Sequence, residues 1–238
     1  MPEKKDKILL FGYGRYGEQI GLNLLREGYD VYVAETDKDK LKKADREGVR
    51  HLFVIDIYDD EQISDIILDN GFKKVFCAFE DEEINVYLTI TLKALFKRLE
   101  IIALCESKES ERKLKLAGAD KVIDTMFAAA NRLYYVLEKP AVAEAMDAIL
   151  IKDKSILFKE IEIPPGSFLD GKNINDIDFK KEFNIILLGI VDKELGNKFI
   201  FITRGINHKI DAGDILVIMG RKDDVRRFEE KLKEKSWR

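Results

Sequence analysis

Residues 8–17 read Ile-Leu-Leu-Phe-Gly-Tyr-Gly-Arg-Tyr-Gly, an apolar stretch that runs into the pattern Gly12-x-Gly14-x-x-Gly17. This order predicts a buried parallel strand, a tight turn at Gly12 and a helix packed closely at Gly17. A glycine at position 14 leaves the backbone bare for a phosphate to approach, and the N-terminus of the helix attracts the same anion. The stretch therefore predicts a fold and a ligand class together.

Short apolar strands alternate with amphipathic helices from residue 7 to about residue 124. This rhythm predicts a parallel sheet covered by helices on both faces, in the doubly wound, Rossmann-like α/β arrangement. The predicted strands are Lys7–Phe11, Asp30–Ala34, Leu52–Ile55, Lys74–Phe79, Glu100–Cys105 and Lys121–Asp124. The predicted helices are Arg15–Glu27, Asp37–Glu47, Asp60–Asn70, Glu82–Arg98 and Glu109–Ala117.

The alternation of strands and helices ends after Asp124. Two apolar-faced helices, Met126–Glu138 and Pro140–Ile151, follow without a strand, and we interpret them as a connector and a dimer contact. A small α+β domain is predicted next. Its strands are Ile156–Ile163, Ile185–Val191, Lys198–Thr203 and Ile215–Gly220, with a turn at Asp192–Asn197 and a last helix Asp223–Lys235. We therefore predict a nucleotide-binding domain at 1–125, connector helices at 126–152 and a small α+β domain at 153–238.

Composition excludes several classes of function. Of the 238 residues 36% are charged, yet the formal net charge is only −4, which argues against nucleic acid or an anionic membrane as the main partner. The apolar runs are too short to span a bilayer, and no signal peptide precedes the first strand. Cys77 and Cys105 lie in predicted strands and indicate buried, reduced thiols. His51 and His208 are too isolated to predict a zinc site.

Ligands of open parallel sheets bind beyond the carboxyl ends of the strands. Glu35 follows Gly17 by 18 residues, where an acid accepts hydrogen bonds from a ribose diol, which favours NAD or an adenosine nucleotide over NADP. The alternative is a solvated acid beside a helix cap at Asp37. Arg15 is either a bidentate partner of a diphosphate or an exposed residue of the first helical turn. Asp56 either accepts from an adenine amino group or caps the turn at residues 59–60.

The strand ends carry a ring of acids. Carboxylate oxygens are the ligands of Ca²⁺ and Mg²⁺, so the ring predicts a divalent-cation site in which Glu106 and Glu80 are the metal candidates. The alternative is that acids simply favour helix N-termini, and it applies to residues 81–83 and 59–61. The ring consists of Glu35, Asp37, Asp56, Glu80, Asp81 and Glu106.

Groups for hydride-transfer chemistry are missing from the sequence. Such enzymes usually need a proton donor or acceptor near the nicotinamide, but no histidine lies near strands four to six and no Ser-x-x-x-Tyr-x-x-x-Lys pattern follows strand five. A nucleotide cradle without a catalytic group indicates a sensor, not an enzyme.

Several blocks resemble the RCK/KTN family, the regulators of potassium conductance. The resemblance extends over nearly the whole chain, in the right order. The matching blocks of the first domain are residues 10–17, Val31-Tyr-Val-Ala-Glu-Thr-Asp37, the strand end at Asp56, Glu80-Asp-Glu-Glu-Ile-Asn85 and Leu116-Ala-Gly-Ala-Asp-Lys-Val-Ile123. Those of the second domain are Ile161-Glu-Ile-Pro-Pro-Gly-Ser-Phe-Leu-Asp-Gly-Lys172 and Ile210-Asp-Ala-Gly-Asp-Ile-Leu-Val-Ile-Met-Gly220.

This resemblance implies a cytoplasmic, ligand-sensing regulatory domain of a potassium channel or transporter, with crossover helices at 126–152 and a small ligand-binding domain at 153–238. It implies a homodimer that assembles into an octameric ring, held at the inner membrane by a pore that is a separate subunit or lies upstream in the chain. The implied ligands are NAD(H) or ATP, ADP or AMP, with Ca²⁺ or Mg²⁺ as a further candidate. The predicted nucleotide contacts are Gly12, Tyr13, Gly14, Arg15, Tyr16, Gly17, Glu35, Thr36, Asp37, Asp56, Ile57, Ala78, Phe79, Glu80 and Asn85.

The chain also departs from the family pattern. Ile57 and Tyr58 replace small residues, and Glu106 stands where many transporter-type members place an arginine. Ala78 and Leu104 stand where calcium-gated members carry acids. The connector resembles channel-attached members more than free-standing subunits. Two other functions remain open on the residues alone: a small NAD-dependent oxidoreductase, and a Ca²⁺- or Mg²⁺-gated sensor without nucleotide.

Overall fold

A computed structural model of the chain describes residues 6–148, 155–196, 198–202 and 208–234. It divides into two compact units, the first ending at Tyr134 and the second beginning at Tyr135. The division falls inside a helix, whereas the sequence predicts a boundary after residue 125. The three-part division at residues 125 and 152 therefore stays a prediction, and residues 149–152 of the proposed connector lie outside the described part.

The first unit is built around six parallel strands in the order β3-β2-β1-β4-β5-β6. The chain starts in the middle of the sheet, runs to one edge and then returns to fill the other side, which confirms the predicted doubly wound α/β arrangement. Leu10 in the central strand pairs with Val33 on one side and with Phe76 on the other. The strands are β1 Lys7–Phe11, β2 Asp30–Glu35, β3 His51–Val54, β4 Lys74–Cys77, β5 Glu100–Cys105 and β6 Lys121–Asp124.

Both faces of this sheet are covered, because side chains of one strand alternate between two apolar cores. Leu9 and Phe11 of β1 enter the larger core, whereas Ile8 and Leu10 enter the smaller one on the opposite face. The helices that follow the strands are α1 Arg15–Arg26, α2 Lys38–Arg46, α3 Asp60–Asn70, α4 Glu82–Leu95 and α5 Lys108–Ala117.

Capping residues mark the ends of several helices of the first unit. Oxygens of Asp37, Asp59, Asp81 and Ser107 accept from the first-turn amides of α2 to α5 in turn. Glycines in the left-handed conformation end α3 and α5.

Two predicted ends in the first unit are wrong by two or three residues, whereas its other ends differ from the prediction by at most one residue. Strand β4 stops at Cys77, not Phe79, because the Phe79 amide donates to the Asn85 side chain instead of to a neighbouring strand. Helix α4 stops at Leu95, not Arg98, because Phe96 has a non-helical backbone conformation.

The second unit contains an antiparallel sheet in the order β7-β10-β8-β9. Its hairpin, predicted around Gly196, is confirmed by pairing of Ile190 with Ile200, although Asn197 and Thr203 lie outside the described residues. A short helix, α8 Phe179–Phe183, is an addition that the sequence does not predict. The other elements are β7 Ile156–Glu162, β8 Ile185–Asp192, β9 Lys198–Phe201, β10 Ile215–Arg221, α9 Lys222–Lys233 and a 3₁₀ turn at Ile174–Asp176.

Helices α6 Thr125–Glu138 and α7 Pro140–Asp147 follow the parallel sheet in sequence, as predicted. No residue of α6 is buried, and its exposed side chains include Leu133 and Leu137. In the described part of the chain, no helix combines the length and the apolar character that a bilayer span requires.

Candidate functional site

The glycine loop between β1 and α1 adopts the predicted tight turn. Gly12 has φ +96°, and a Cβ there would stand 2.7 Å from the backbone nitrogen of Phe79. A Cβ on Gly17 would stand 2.1 Å from the carbonyl oxygen of Gly12. No side chain larger than hydrogen fits at either position, since real Cβ atoms do not approach backbone atoms this closely. The loop therefore brings the N-terminus of α1 directly onto the end of β1.

Glu35 at the end of β2 fixes this loop from one side. Its Oε2 accepts from the backbone N–H of Tyr13 at 2.8 Å. Its Oε1 accepts from the backbone N–H groups of Thr36 at 2.7 Å and Asp37 at 3.1 Å, and from the Thr36 hydroxyl at 3.0 Å. The residue is only 1% exposed. The predicted ribose acceptor thus lies at the loop with its oxygens turned toward the protein backbone.

Glu80 reaches the loop from the turn after β4. Arg15 is the first residue of α1, and its backbone N–H donates to Glu80 Oε1 at 3.2 Å. A Cβ on Gly14 would stand 2.8 Å from the Glu80 carboxyl carbon. The Lys40 ammonium lies 3.7 Å from Glu80 Oε2 and 4.0 Å from Glu35 Oε2. A carboxylate therefore lies at the backbone position where the glycine pattern predicts phosphate.

Glu106, at the end of β5, holds the side chain of Arg15. The guanidinium Nη2 lies 2.6 Å from Glu106 Oε1, and the Tyr16 hydroxyl donates to the same oxygen at 2.9 Å. The turn that carries Glu106 is fixed by Glu82, whose Oε1 accepts from the Glu106 N–H at 2.5 Å. Burial alone would raise the pKa of Glu82, but hydrogen bonds from Ser110, Ser107 and the Glu106 N–H hold that pKa below its ordinary value.

Besides Glu35, five predicted contacts have buried side chains, and two of these are Ala78 and Phe79. The Tyr13 side chain is buried and its hydroxyl lies 2.9 Å from Glu47, so only its backbone reaches the loop. Burial, followed by the hydrogen bond to Glu47, raises the pKa of this phenol above its ordinary value. Ile57 is part of the larger core. Asn85 is 1% exposed and bonds to the backbone N–H and C=O of Phe79 and to the C=O of Leu104.

Asp56 is exposed after β3 and shapes its own turn. Its Oδ1 accepts from the N–H of Tyr58 at 2.9 Å, and its N–H donates to the Gln62 side chain at 2.8 Å. Asp59, not Asp56, caps α3. The adenine contact proposed for Asp56 stays a prediction.

Both metal candidates are engaged with a cation of the chain itself. Glu106 Oε1 lies 2.6 Å from Arg15 Nη2, and Glu80 Oε1 lies 3.8 Å from Arg15 Nε. Among the described residues, no group of three or more His, Cys, Asp or Glu side chains is placed to hold a metal ion. The divalent-cation site stays a prediction that lacks a converging ligand set.

Sequence reasoning missed Lys40 and Glu82. Lys40 belongs to a strongly charged helix and looks like one solvated lysine among several. Its position three residues after the cap Asp37, in the first turn of a helix that starts at the ligand edge of the sheet, is the signal that identifies it. Glu82 is masked by neighbouring acids of the α4 first turn, and only the fold brings it to the turn after β5.

Known protein families match both units. Residues 8–125 match the TrkA-N domain family, and residues 158–233 match the TrkA-C domain family. The two matches occur in the order in which the parallel and antiparallel sheets occur along the chain.

Two relatives align along most of the chain. One is named probable potassium channel protein 2 of Methanocaldococcus jannaschii, which is 24% identical over 238 residues, covering 97% of this chain and 68% of the relative. The other is named Ktr system potassium uptake protein C of Bacillus subtilis, which is 23% identical over 228 residues, covering 96% of this chain and 98% of the relative.

A solved structure shares the first fold. It is described as the NAD(P)-binding domain of an exopolyphosphatase-related protein from Archaeoglobus fulgidus. It is 19% identical, has a TM-score of 0.51 and covers 57% of this chain and 99% of that chain. At this identity the likeness concerns the fold alone.

Proposed function

The chain belongs to the RCK/KTN family, and from this membership we propose that it is the regulatory chain of a potassium channel or transporter, controlled by a bound nucleotide. The observation that carries the proposal is the glycine loop. Its Gly12 and Gly17 admit no side chain, and it leads into helix α1, whose first residue is Arg15. The proposed role in potassium transport rests on membership of the family, and the proposed nucleotide ligand rests on the glycine loop.

The proposed ligand is NAD(H) or an adenine nucleotide. The N-terminus of α1 and the Arg15 guanidinium both suit a phosphate, because one offers N–H donors and a positive dipole and the other a bidentate cation. Lys40 adds a second positive charge next to the same loop. A phosphate group can make these contacts only after the carboxylates that now bind the same donors and cations have moved away.

Regulation requires more than binding. A ligand shifts an equilibrium between two states only by its difference in affinity for them, so the nucleotide must favour one conformation of the assembled regulator. We propose that the chain acts as a homodimer, within a larger ring, on the cytoplasmic side of a membrane pore. On this proposal, nucleotide binding causes a change of conformation and not a chemical reaction, so the chain is not an enzyme.

The binding part is tested by thermal unfolding with NAD⁺, NADH, ATP, ADP and AMP. At least one nucleotide should raise Tm, and Arg15→Ala should reduce that increase. Arg26→Ala is the matched control, because Arg26 lies at the other end of α1 and contacts Asn23 there. If no nucleotide changes Tm, the proposed function is wrong. Turnover of NADH by the purified chain would instead favour the oxidoreductase.

The potassium part is tested by Rb⁺ uptake in bacterial cells that lack their own regulator of potassium uptake. The wild-type chain should restore uptake, and Arg15→Ala should restore less of it than Arg26→Ala. Equal restoration by all three chains would show that the role in potassium uptake does not depend on the glycine loop.

A further inference from the structure

The two groups best suited to hold a phosphate are both occupied by acids of the same chain. The backbone N–H of Arg15 donates to Glu80 Oε1 at 3.2 Å, and the guanidinium of Arg15 lies 2.6 Å from Glu106 Oε1. Each acid comes from a different strand end, 65 and 91 residues away along the chain. The fold, not local sequence, brings these carboxylates to the loop.

Glu80 lies where a phosphate is expected. Its carboxyl carbon is 2.8 Å from the place where Gly14 would carry a Cβ, so the bare backbone of this glycine faces a carboxylate. Its second oxygen lies 3.7 Å from the ammonium of Lys40. A carboxylate resembles a phosphate in charge and in its acceptor oxygens, and a helix N-terminus favours both.

The Glu80 side chain is also free to leave. It is 45% exposed, in contrast to the buried Glu35 beside it. Exposed side chains change rotamer on a timescale of nanoseconds or less. Displacement of Glu80 therefore requires no change in the sheet or in α4.

We propose that Glu80 is an internal competitor of the nucleotide's phosphate, and that a nucleotide binds the glycine loop only by displacing it. The inference rests on the proposed function, because it concerns the same loop. Glu80 thereby becomes a specificity-determining residue. Once displaced it stays near the ligand as a negative charge, so it penalises ligands more strongly as their phosphate charge increases.

Calorimetric titration with ADP and AMP tests this inference on the wild type, Glu80→Gln and Glu83→Gln. Glu83 is the matched control, because it is exposed in the same first turn of α4 and carries the same charge. We expect Glu80→Gln to bind ADP about tenfold more tightly, which corresponds to ~1.4 kcal/mol. The gain should be smaller for AMP, and Glu83→Gln should bind like the wild type.

The outcomes separate the two proposals. Measurable ADP binding that is equal or weaker in Glu80→Gln overturns the competitor role and leaves the nucleotide-binding function intact. An equal gain for Glu83→Gln also overturns it, since the effect is then one of net charge. If neither ADP nor AMP binds to any of the three proteins, the competitor role is overturned, whereas the nucleotide-binding function is overturned only if NAD⁺, NADH and ATP also leave Tm unchanged. Glu80→Ala provides a second variant if the glutamine variant does not fold.

Discussion

The backbone N–H of Tyr13 donates a 2.8 Å hydrogen bond to Oε2 of Glu35, which ties the glycine loop to the end of β2. The other carboxylate oxygen accepts from two backbone N–H groups and one hydroxyl of residues 36 and 37. Glu35 thus receives four hydrogen bonds from the protein itself, three at Oε1 and one at Oε2. Glu35 is therefore first a residue that positions the loop, and any ribose contact is added to that role.

Replacing Glu35 by Gln should destabilise the fold. The amide group would turn an N–H donor toward backbone donors that now face an acceptor, and a buried unsatisfied donor costs about 1–3 kcal/mol. Urea unfolding should show a lower midpoint for Glu35→Gln. Glu61→Gln is the control, because Glu61 is exposed in α3 and its loss removes the same charge. Equal midpoints for the two variants would contradict the positioning role.

Asn85→Ala should also destabilise the chain, although Asn85 stands among the predicted nucleotide contacts. Its amide makes three buried hydrogen bonds, which join the turn after β4 to the end of β5. Its removal takes this partner away from the Phe79 N–H, the Phe79 C=O and the Leu104 C=O, and we expect a loss of roughly 3 kcal/mol. Asn70→Ala is the matched control, since the Asn70 amide group donates one part-buried bond, to Ile66. A loss no larger than that of the control would show that these bonds are dispensable.

The sequence predicts the first fold well, because its signals are local. Apolar strands, capping residues such as Asp37 and stop glycines such as Gly71 each act within a few residues. Errors occur where a distant side chain decides the outcome. Strand β4 ends early because the Phe79 N–H donates to the Asn85 side chain, and no sequence pattern within the strand predicts that hydrogen bond.

The candidate site is predicted less completely, for the same reason. Arg15, Glu80 and Glu106 are identifiable as strand-end residues, but sequence cannot show that the two acids converge on the arginine. Nor does it distinguish Tyr13, whose side chain is buried, from Tyr16, whose hydroxyl reaches Glu106. Which side of a loop a residue faces depends on packing, and packing is a property of the whole fold.

Stability should fall with acidification in a way that depends on Glu82. The folded state lowers the pKa of Glu82 from its ordinary value, because hydrogen bonds from Ser110, Ser107 and the Glu106 N–H outweigh the effect of burial. Its contribution is therefore fully present above the unfolded pKa of about 4.3 and is lost as the pH falls through the lower folded value. The urea midpoints of the wild type and Glu82→Gln should differ at pH 7, and the difference should shrink as the pH falls below about 4.3. A difference independent of pH would contradict this linkage.

Neither cysteine should react with a thiol reagent in the folded chain. Cys77 and Cys105 are both buried as free thiols, in agreement with the prediction from sequence. Burial raises the pKa of Cys77 to about 12 and that of Cys105 to about 11, so little thiolate is present near pH 8. A disulfide exchange reagent should modify no thiol in buffer and two in denaturant. Fast modification of the native chain would contradict the packing of β4 and β5.

The apolar face of α6 should mediate self-association. A helix of 14 residues with no buried side chain gains little stability from its own hydrogen bonds, and clustered exposed apolar residues mark an interaction surface. Leu133 is 64% exposed on this helix. Leu133→Glu should therefore weaken the dimer proposed above, as measured by sedimentation velocity over a range of concentrations. Leu68→Glu is a close control, because Leu68 is also 64% exposed but lies on α3. A monomeric wild type, or a Leu133→Glu variant that dimerises as well as the control, would show that α6 is not the contact.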